Sequence, residues 1–187
     1  MLFKDWDIVL EGENIRLTSF VPEDRDAYFS LLVRKPSYSP ELAAEMIRPI
    51  LEHEDEDEYH AIRLKTGKEM IGWIALQREK RGEPEIGIYL LEPYRNRGYG
   101  TEAIRLLVNR VYREYGVDCV YAYVMRKNLQ SRRVFEKLGA VCFENDPDDE
   151  ELKRLEEIGR KLPDDRKKLE EIVENRTMYH FRINLPV

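Results

Sequence analysis

Glu92-Pro93-Tyr94-Arg95-Asn96-Arg97-Gly98-Tyr99-Gly100-Thr101-Glu102 joins an apolar run to an amphipathic one, and its reading decides the fold. Upstream, Ile86, Ile88, Leu90 and Leu91 form a largely buried strand, which Pro93 stops by removing a ladder donor. Downstream, Ile104, Leu107, Val108, Val111, Tyr112 and Tyr115 recur at the spacing of one helical face, and Gly116 ends that helix as a left-handed cap. Between the two, Gly98 and Gly100 lack Cβ atoms and let a ligand approach the backbone. The unpaired amides of the first helical turn point outward with the positive end of the helix dipole. Arg95 and Arg97 add full charges. Such a loop suits a phosphorylated ligand, and a pyrophosphate best of all.

Spacing separates three kinds of phosphate loop. A Walker loop requires Gly, four residues, then Gly-Lys-Ser/Thr, and no such string occurs. Gly98-x-Gly100-x-x-Ala103 matches a dinucleotide fingerprint, but Asp118 precedes the next strand instead of closing it, and no βαβ series surrounds the match. The third pattern, Arg/Gln-x-x-Gly-x-Gly/Ala, is met in full by Arg95, Gly98 and Gly100. It resembles the coenzyme A loop of the GNAT superfamily of N-acetyltransferases. A second block strengthens the resemblance. After an alternating strand, Cys119 to Met125, comes Asn128-Leu129-Gln130-Ser131 and then Glu136-Lys137-Leu138-Gly139-Ala140. This is similar to the Asn-x-x-Ser/Ala and Glu-Lys-Leu-Gly-Phe segments of the superfamily, especially the branch that acetylates N-termini of ribosomal proteins. The resemblance spans Asn14 to Val141 plus a final strand near Thr177 to Asn184. Ala140 departs from it where an aromatic is usual.

The remaining chain fits an α+β fold with a mixed, mostly antiparallel central sheet flanked by helices. Ile15, Leu17 and Ser19 alternate with Arg16, Thr18 and Phe20 as a first strand, and Pro22-Glu23-Asp24 opens a helix carrying Tyr28, Leu31 and Leu32. A second helix is expected over 40–51. Tyr59 to Leu64 and Met70 to Gln77 read as a hairpin about Thr66-Gly67-Lys68. Two apolar stripes, Leu152-Leu155-Ile158 and Leu169-Ile172-Val173, broken at Pro163, predict a helical insert over 146–175 in a single domain, 1–187. The insert either caps a sheet edge or overhangs the acceptor side or a second subunit, so a homodimer stays open.

Composition bounds the rest. At 187 residues and 42% hydrophobic content the chain can bury one sizeable core. No apolar run is long enough for a membrane span, and Lys4, Asp5 and Asp7 interrupt the N-terminal apolar residues, so a cytoplasmic protein without a membrane partner is expected. Cys119 and Cys142 read as free thiols. Neither they nor His53 and His60 give metal-ligand spacing. A net charge of −6 argues against nucleic acid. Glu52-His53-Glu54-Asp55-Glu56-Asp57-Glu58 is either a solvated acidic loop or an attractant for a cationic acceptor.

The resemblance implies an acetyl-CoA cosubstrate and an amine acceptor. It assigns the pyrophosphate to the amides of Arg95, Asn96, Arg97, Gly98, Tyr99, Gly100 and Thr101. The strand through Ile88, Leu90 and Leu91 would pair with the pantetheine arm, Asn128 would hold that arm, and Arg133 or Lys137 would reach the ribose phosphate. Asn128 also reads as a helix N-cap. A lysine-like amine loses its proton at a cost of about 4–5 kcal/mol at neutral pH, an α-amine at about 1–1.5, so a base matters more for the former. Glu85, in Glu-Ile-Gly-Ile-Tyr-Leu, resembles the glutamate base of histone-type members and would act through a water; Glu69 is a second choice. Many members protonate the leaving thiolate with a tyrosine seven residues after the asparagine. Here Phe135 stands there; Ser131 occupies the place from which the N-terminal-acetylating branch donates a proton, so the resemblance implies Ser131 as the acid or as the group that orients the sulfur, with Tyr89 and Tyr94 as substitutes. The same phenylalanine keeps a second class open, a non-catalytic acyl-CoA-binding or regulatory module.

Overall fold

A computed structural model describes residues 9–32, 41, 45, 48, 50, 57–78, 84–143, 157 and 178–187. These divide into two compact units, one holding residues up to Val120 together with Asn184–Val187, the other Tyr121–Ile183.

In the first unit five strands pair in chain order, all antiparallel: β1 (Leu10–Glu11), β2 (Ile15–Thr18), β3 (Glu58–Leu64), β4 (Met70–Arg78) and β5 (Pro84–Leu90). Helix α1 (Arg25–Leu32) follows a single 3₁₀ turn at Pro22–Asp24 and packs on β4. Helix α2 (Tyr99–Tyr115) packs against β2 and β5. Period-two alternation in the strands sorts the residues onto two faces. Ala61, Phe20, Tyr28, Ile50 and Met70 build one apolar cluster, with Tyr59, Trp73 and Tyr89 against it. On α2, Ala103, Ile104, Leu107, Val108 and Val111 are all fully buried, the stripe its periodicity predicts. Gly116 ends α2 with φ 65°, and its amide closes on Tyr112 O.

The second unit takes in most of β6 (Cys119–Met125), helix α3 (Leu129–Lys137), β7 (Val141–Phe143) and most of β8 (Met178–Asn184), in strand order β6-β8-β7. β7 and β8 are antiparallel, with Cys142 opposite Phe181. Phe135 is buried and stacks on Phe181 at 5.5 Å between centroids. Val120, Ala122 and Val124 are buried and alternate with half-covered neighbours, as the sequence pattern requires.

The α+β class and the mostly antiparallel pairing agree with the sequence reading, as do the hairpin, α2 and β6. β1 is additional, two residues long and without a readable period. Of the strand before the loop only Ile86 is buried; Ile88, Leu90 and Leu91 are half-buried, which corrects the expectation of a largely buried strand. The helix expected over 40–51 lies largely outside the described residues, and so does the insert expected over 146–175.

Candidate functional site

β5 ends at Leu90, and Glu92–Tyr94 makes one 3₁₀ turn with Pro93 inside it. Arg95 is extended, Asn96 enters the left-handed region at φ 60°, and Gly98, the N-cap of α2, returns to it at φ 87°. That alternation bends successive amides toward one side, the geometry of an anion-binding concavity. The first hydrogen bond of α2 runs from Glu102 N to Gly98 O at 3.0 Å. Among the described residues, the amides of Asn96, Arg97, Gly98, Tyr99, Gly100 and Thr101 donate to no other part of the chain. Six donors at the positive end of a 17-residue helix therefore face outward. Asn96, Arg97 and Gly98 are exposed.

Arg95 is held differently from the residues that follow it. Its amide bonds Glu92 O at 3.2 Å, its Nε donates to Leu90 O at 2.9 Å, and its guanidinium lies 5.1 Å from the Tyr89 ring centroid. Arg95 thus clasps the loop to the end of β5, and the arc of open amides starts at Asn96.

Glu85 lies on β5 opposite Gln77 of β4. Gly87 and Tyr89 share its face by strand alternation, opposite Ala75 and Trp73. Gln77 Nε2 donates to Tyr59 Oη at 3.1 Å and reaches Asp57 Oδ2 at 3.4 Å. Tyr59 and Trp73 ring centroids are 6.0 Å apart, and Tyr28 is 6.3 Å from Trp73. The half-buried Glu85 carboxylate is thus carried at one end of a sheet face rich in aromatic rings. Glu69 precedes β4 and is exposed.

On the second unit, Asn128 caps α3: its Oδ1 accepts from Ser131 N at 3.0 Å. Ser131 is half-buried, and Arg133 and Lys137 are exposed one turn apart. Arg132 pairs with Glu136 at 2.7 Å and stacks over Tyr179 at 5.0 Å. The hydrogen bond to Glu136 holds the Arg132 guanidinium above its usual range.

The acidic run is corrected in part. Glu58 is not solvated; it is fully buried on β3 and pairs with Arg110 of α2, itself fully buried, and with His60. Arg110 Nε also donates to Glu114 at 2.7 Å. Burial works against the Arg110 charge, but Glu58 and Glu114 outweigh it and raise the guanidinium above its ordinary range. The 52–56 part of the run lies outside the described residues. No group of metal-ligating side chains occurs among the described residues. Both cysteines are free thiols. A groove of about 620 Å³ along the flank of α2, between Glu102 and Arg113, is lined by none of the predicted site residues.

A family profile described as an acetyltransferase (GNAT) domain matches residues 14–141. The chain belongs to the GNAT acetyltransferase family. "Probable N-acetyltransferase YjcK" of Bacillus subtilis (strain 168) is 34% identical to it over 134 residues, covering 68% of this chain and 72% of the relative. An acetyltransferase structure from Agrobacterium tumefaciens str. C58 superposes with a TM-score of 0.70 at 19% identity, over 99% of this chain and 98% of that one. The ribosomal-protein-S5-alanine acetyltransferase of Vibrio fischeri gives 0.58 at 16% identity, over 74% and 87%. These two structures support the GNAT fold. GNAT domains use acetyl-CoA and an amine acceptor, and the open amides from Asn96 to Thr101 are the kind of cradle a diphosphate requires. No helix among the described residues is long and apolar enough to cross a membrane.

Proposed function

We propose that this GNAT acetyltransferase moves acetyl from acetyl-CoA directly to a primary amine, such as a peptide N-terminus, a polyamine or another small amine. The reading rests above all on the six outward amides from Asn96 to Thr101 at the start of α2. Those amides and Arg97 would hold the diphosphate, the end of β5 from Ile88 with the following Leu91 the pantetheine arm, and Asn128 the same arm beyond its role as N-cap. Arg133 and Lys137, both exposed, are free to serve the ribose phosphate. The profile match crosses from the first unit into the second, which favours one catalytic domain.

In this reading the neutral amine attacks the thioester carbonyl, its surplus proton passes through a water to Glu85, the C–S bond breaks, and the thiolate takes a proton from Ser131. Glu85 is the base in this reading because the strand Glu-Ile-Gly-Ile-Tyr-Leu resembles the one that carries the glutamate base of histone-type members, and its half-buried carboxylate stands on the sheet face that carries Trp73 and Tyr89. Phe135 cannot donate a proton and is sealed in the core against Phe181, which lends weight to a second reading, a non-catalytic acyl-CoA-binding module. Against that, a thiol pKa near ~8.5 makes the thiolate a tolerable leaving group without a strong acid.

Thiol release from acetyl-CoA across a panel of peptides, polyamines and aminoglycosides tests the proposal. Acceptor-dependent thiol is expected; CoA binding with none across the panel would favour the second reading. With Glu85→Gln, turnover should fall by about 10²-fold or more at neutral pH and recover partly as the amine deprotonates in solution. Unchanged turnover from about pH 6 to 9 would remove Glu85 as the base.

A further inference from the structure

Polar contacts tie α2 to the rest of its unit. Arg110 reaches Glu58, Asn109 grips the backbone of Val187 in both directions, and Glu102 reaches the turn between β1 and β2. Glu102 is the one beside the loop. Its Oε1 accepts from Asn14 N at 2.8 Å and Ile15 N at 3.3 Å, and its Oε2 accepts from Asn14 Nδ2 at 3.1 Å. Gly12 completes the fit: a Cβ there would overlap Glu102 Oε1, so the turn is shaped around the carboxylate. That turn is itself fixed, with Gly12 N on Ile15 O at 2.8 Å and Lys65 N on Asn14 O at 2.9 Å.

Glu102 also closes the first hydrogen bond of α2 through its own amide on Gly98 O. Whatever moves Glu102 therefore moves the last open amides of the loop. A carboxylate in the first turn of a helix would otherwise compete with an anionic ligand for the positive helix end. Here three N–H donors from the β1–β2 turn hold it.

We propose that Glu102 is a positioning residue for the diphosphate of acetyl-CoA: latched to Asn14 and Ile15, it fixes the first turn of α2 and keeps its own charge out of the anion site. This rests on the reading of the loop as a diphosphate cradle. Glu102 touches no reacting atom in this scheme.

The test compares two ligands, CoA and pantetheine, which share the thiol arm but only one of which carries the diphosphate. Calorimetry serves for CoA and ligand-observed NMR for pantetheine. Glu102→Ala should weaken CoA about tenfold, as expected when an anion cradle is misaligned, and leave pantetheine unchanged. Glu102→Gln should recover most of the CoA affinity, because its amide oxygen still accepts from the Asn14 and Ile15 amides. Gly12→Ala displaces the same carboxylate from the other side, so it should reproduce the loss, and the double variant should be no worse than either single one. Equal losses for the two ligands, or no loss of CoA binding, overturns the proposal, as do Gly12→Ala and Glu102→Ala effects that multiply. If the unaltered protein itself binds CoA no better than pantetheine, the cradle reading fails first and this inference falls with it.

Discussion

Arg110→Met should be one of the most damaging single substitutions in the first unit. The guanidinium and the Glu58 carboxylate are both fully buried, and Glu58 Oε2 already has no partner among the described residues. Removing Arg110 leaves that carboxylate in the core with His60 as its remaining neighbour, and His60 Nδ1 is likewise unpartnered. Breaking a buried pair from one side costs about 3–5 kcal/mol, since the surviving charge keeps its full desolvation penalty. For a chain of this size each kcal/mol lowers the midpoint by roughly 2–4 °C, so the loss should be roughly 6–20 °C. A thermal melt measures that shift and urea unfolding at neutral pH the free energy, with an unchanged slope required for a clean comparison. Glu58→Leu combined with Arg110→Met should return to within about 1 kcal/mol of the parent or exceed it, because the well-packed apolar pair has no charge to desolvate. A single-variant cost below about 1 kcal/mol, or a double variant as unstable as the single one, would refute the reasoning. The pH sign follows from the raised Arg110 pKa: its contribution is complete below the ordinary guanidinium range and is lost only as pH climbs through the raised value. Guanidinium titration should therefore leave the gap between parent and Arg110→Met flat from about pH 6 to 10.

Gly98→Ala adds a Cβ with nothing within 4 Å, so its cost is the left-handed backbone at φ 87° alone, about 1–2 kcal/mol. It should appear as weaker CoA binding together with an unfolding midpoint lower by roughly 2–8 °C; intact CoA affinity would argue that the loop does not need this bend. Gly72→Ala is different in kind, since its Cβ would overlap Tyr89 O and press on Leu90 across the β4–β5 pair. It should cost about 1–3 kcal/mol or more in urea unfolding and would be incompatible with the strand register if silent. Asp24→Asn weakens a bidentate pair to Arg63, at 2.8 and 2.6 Å, in which both side chains are nearly buried. A loss of about 2–4 kcal/mol is expected in the same assay, and one below about 0.5 would mean that water replaces the pair.

Elements carried by local period were legible. The stripe from Ile104 to Val111, the glycine after Tyr115, the alternation from Cys119 to Met125 and the cap at Asn128 each report on neighbours within a few residues, and each stands where its pattern put it. The loop was legible for the same reason, because two backbone requirements, a left-handed N-cap and open first-turn amides, are written in consecutive residues. For Arg95 the motif gave the residue type but not its contacts within the chain, since its amide meets Glu92 O, its Nε meets Leu90 O and its guanidinium lies over the Tyr89 ring.

What stayed hidden is the set of polar contacts that bridge long stretches of chain. Arg110 falls on the buried stripe of α2, three residues after Leu107, so its type alone announced that some acid must meet it; which acid is a property of the sheet. Glu58 is 52 positions away and looked like the end of a solvated run, until β3 alternation turned it inward toward α2 while Asp57 and Tyr59 turned to the face that carries Gln77. Asn14 and Glu102 are 88 positions apart. Periodicity says which face a charge is on and nothing about its partner there. These long-range pairs hold the helix that offers the six amides, so the precision of the cofactor cradle depends on residues outside the loop motif. Arg110 secures the far half of α2 and Glu102 its first turn, and substitutions at the two should differ in kind. Loss of Arg110 costs folding free energy, whereas loss of Glu102, in a part-exposed turn that water can reach, costs cofactor affinity.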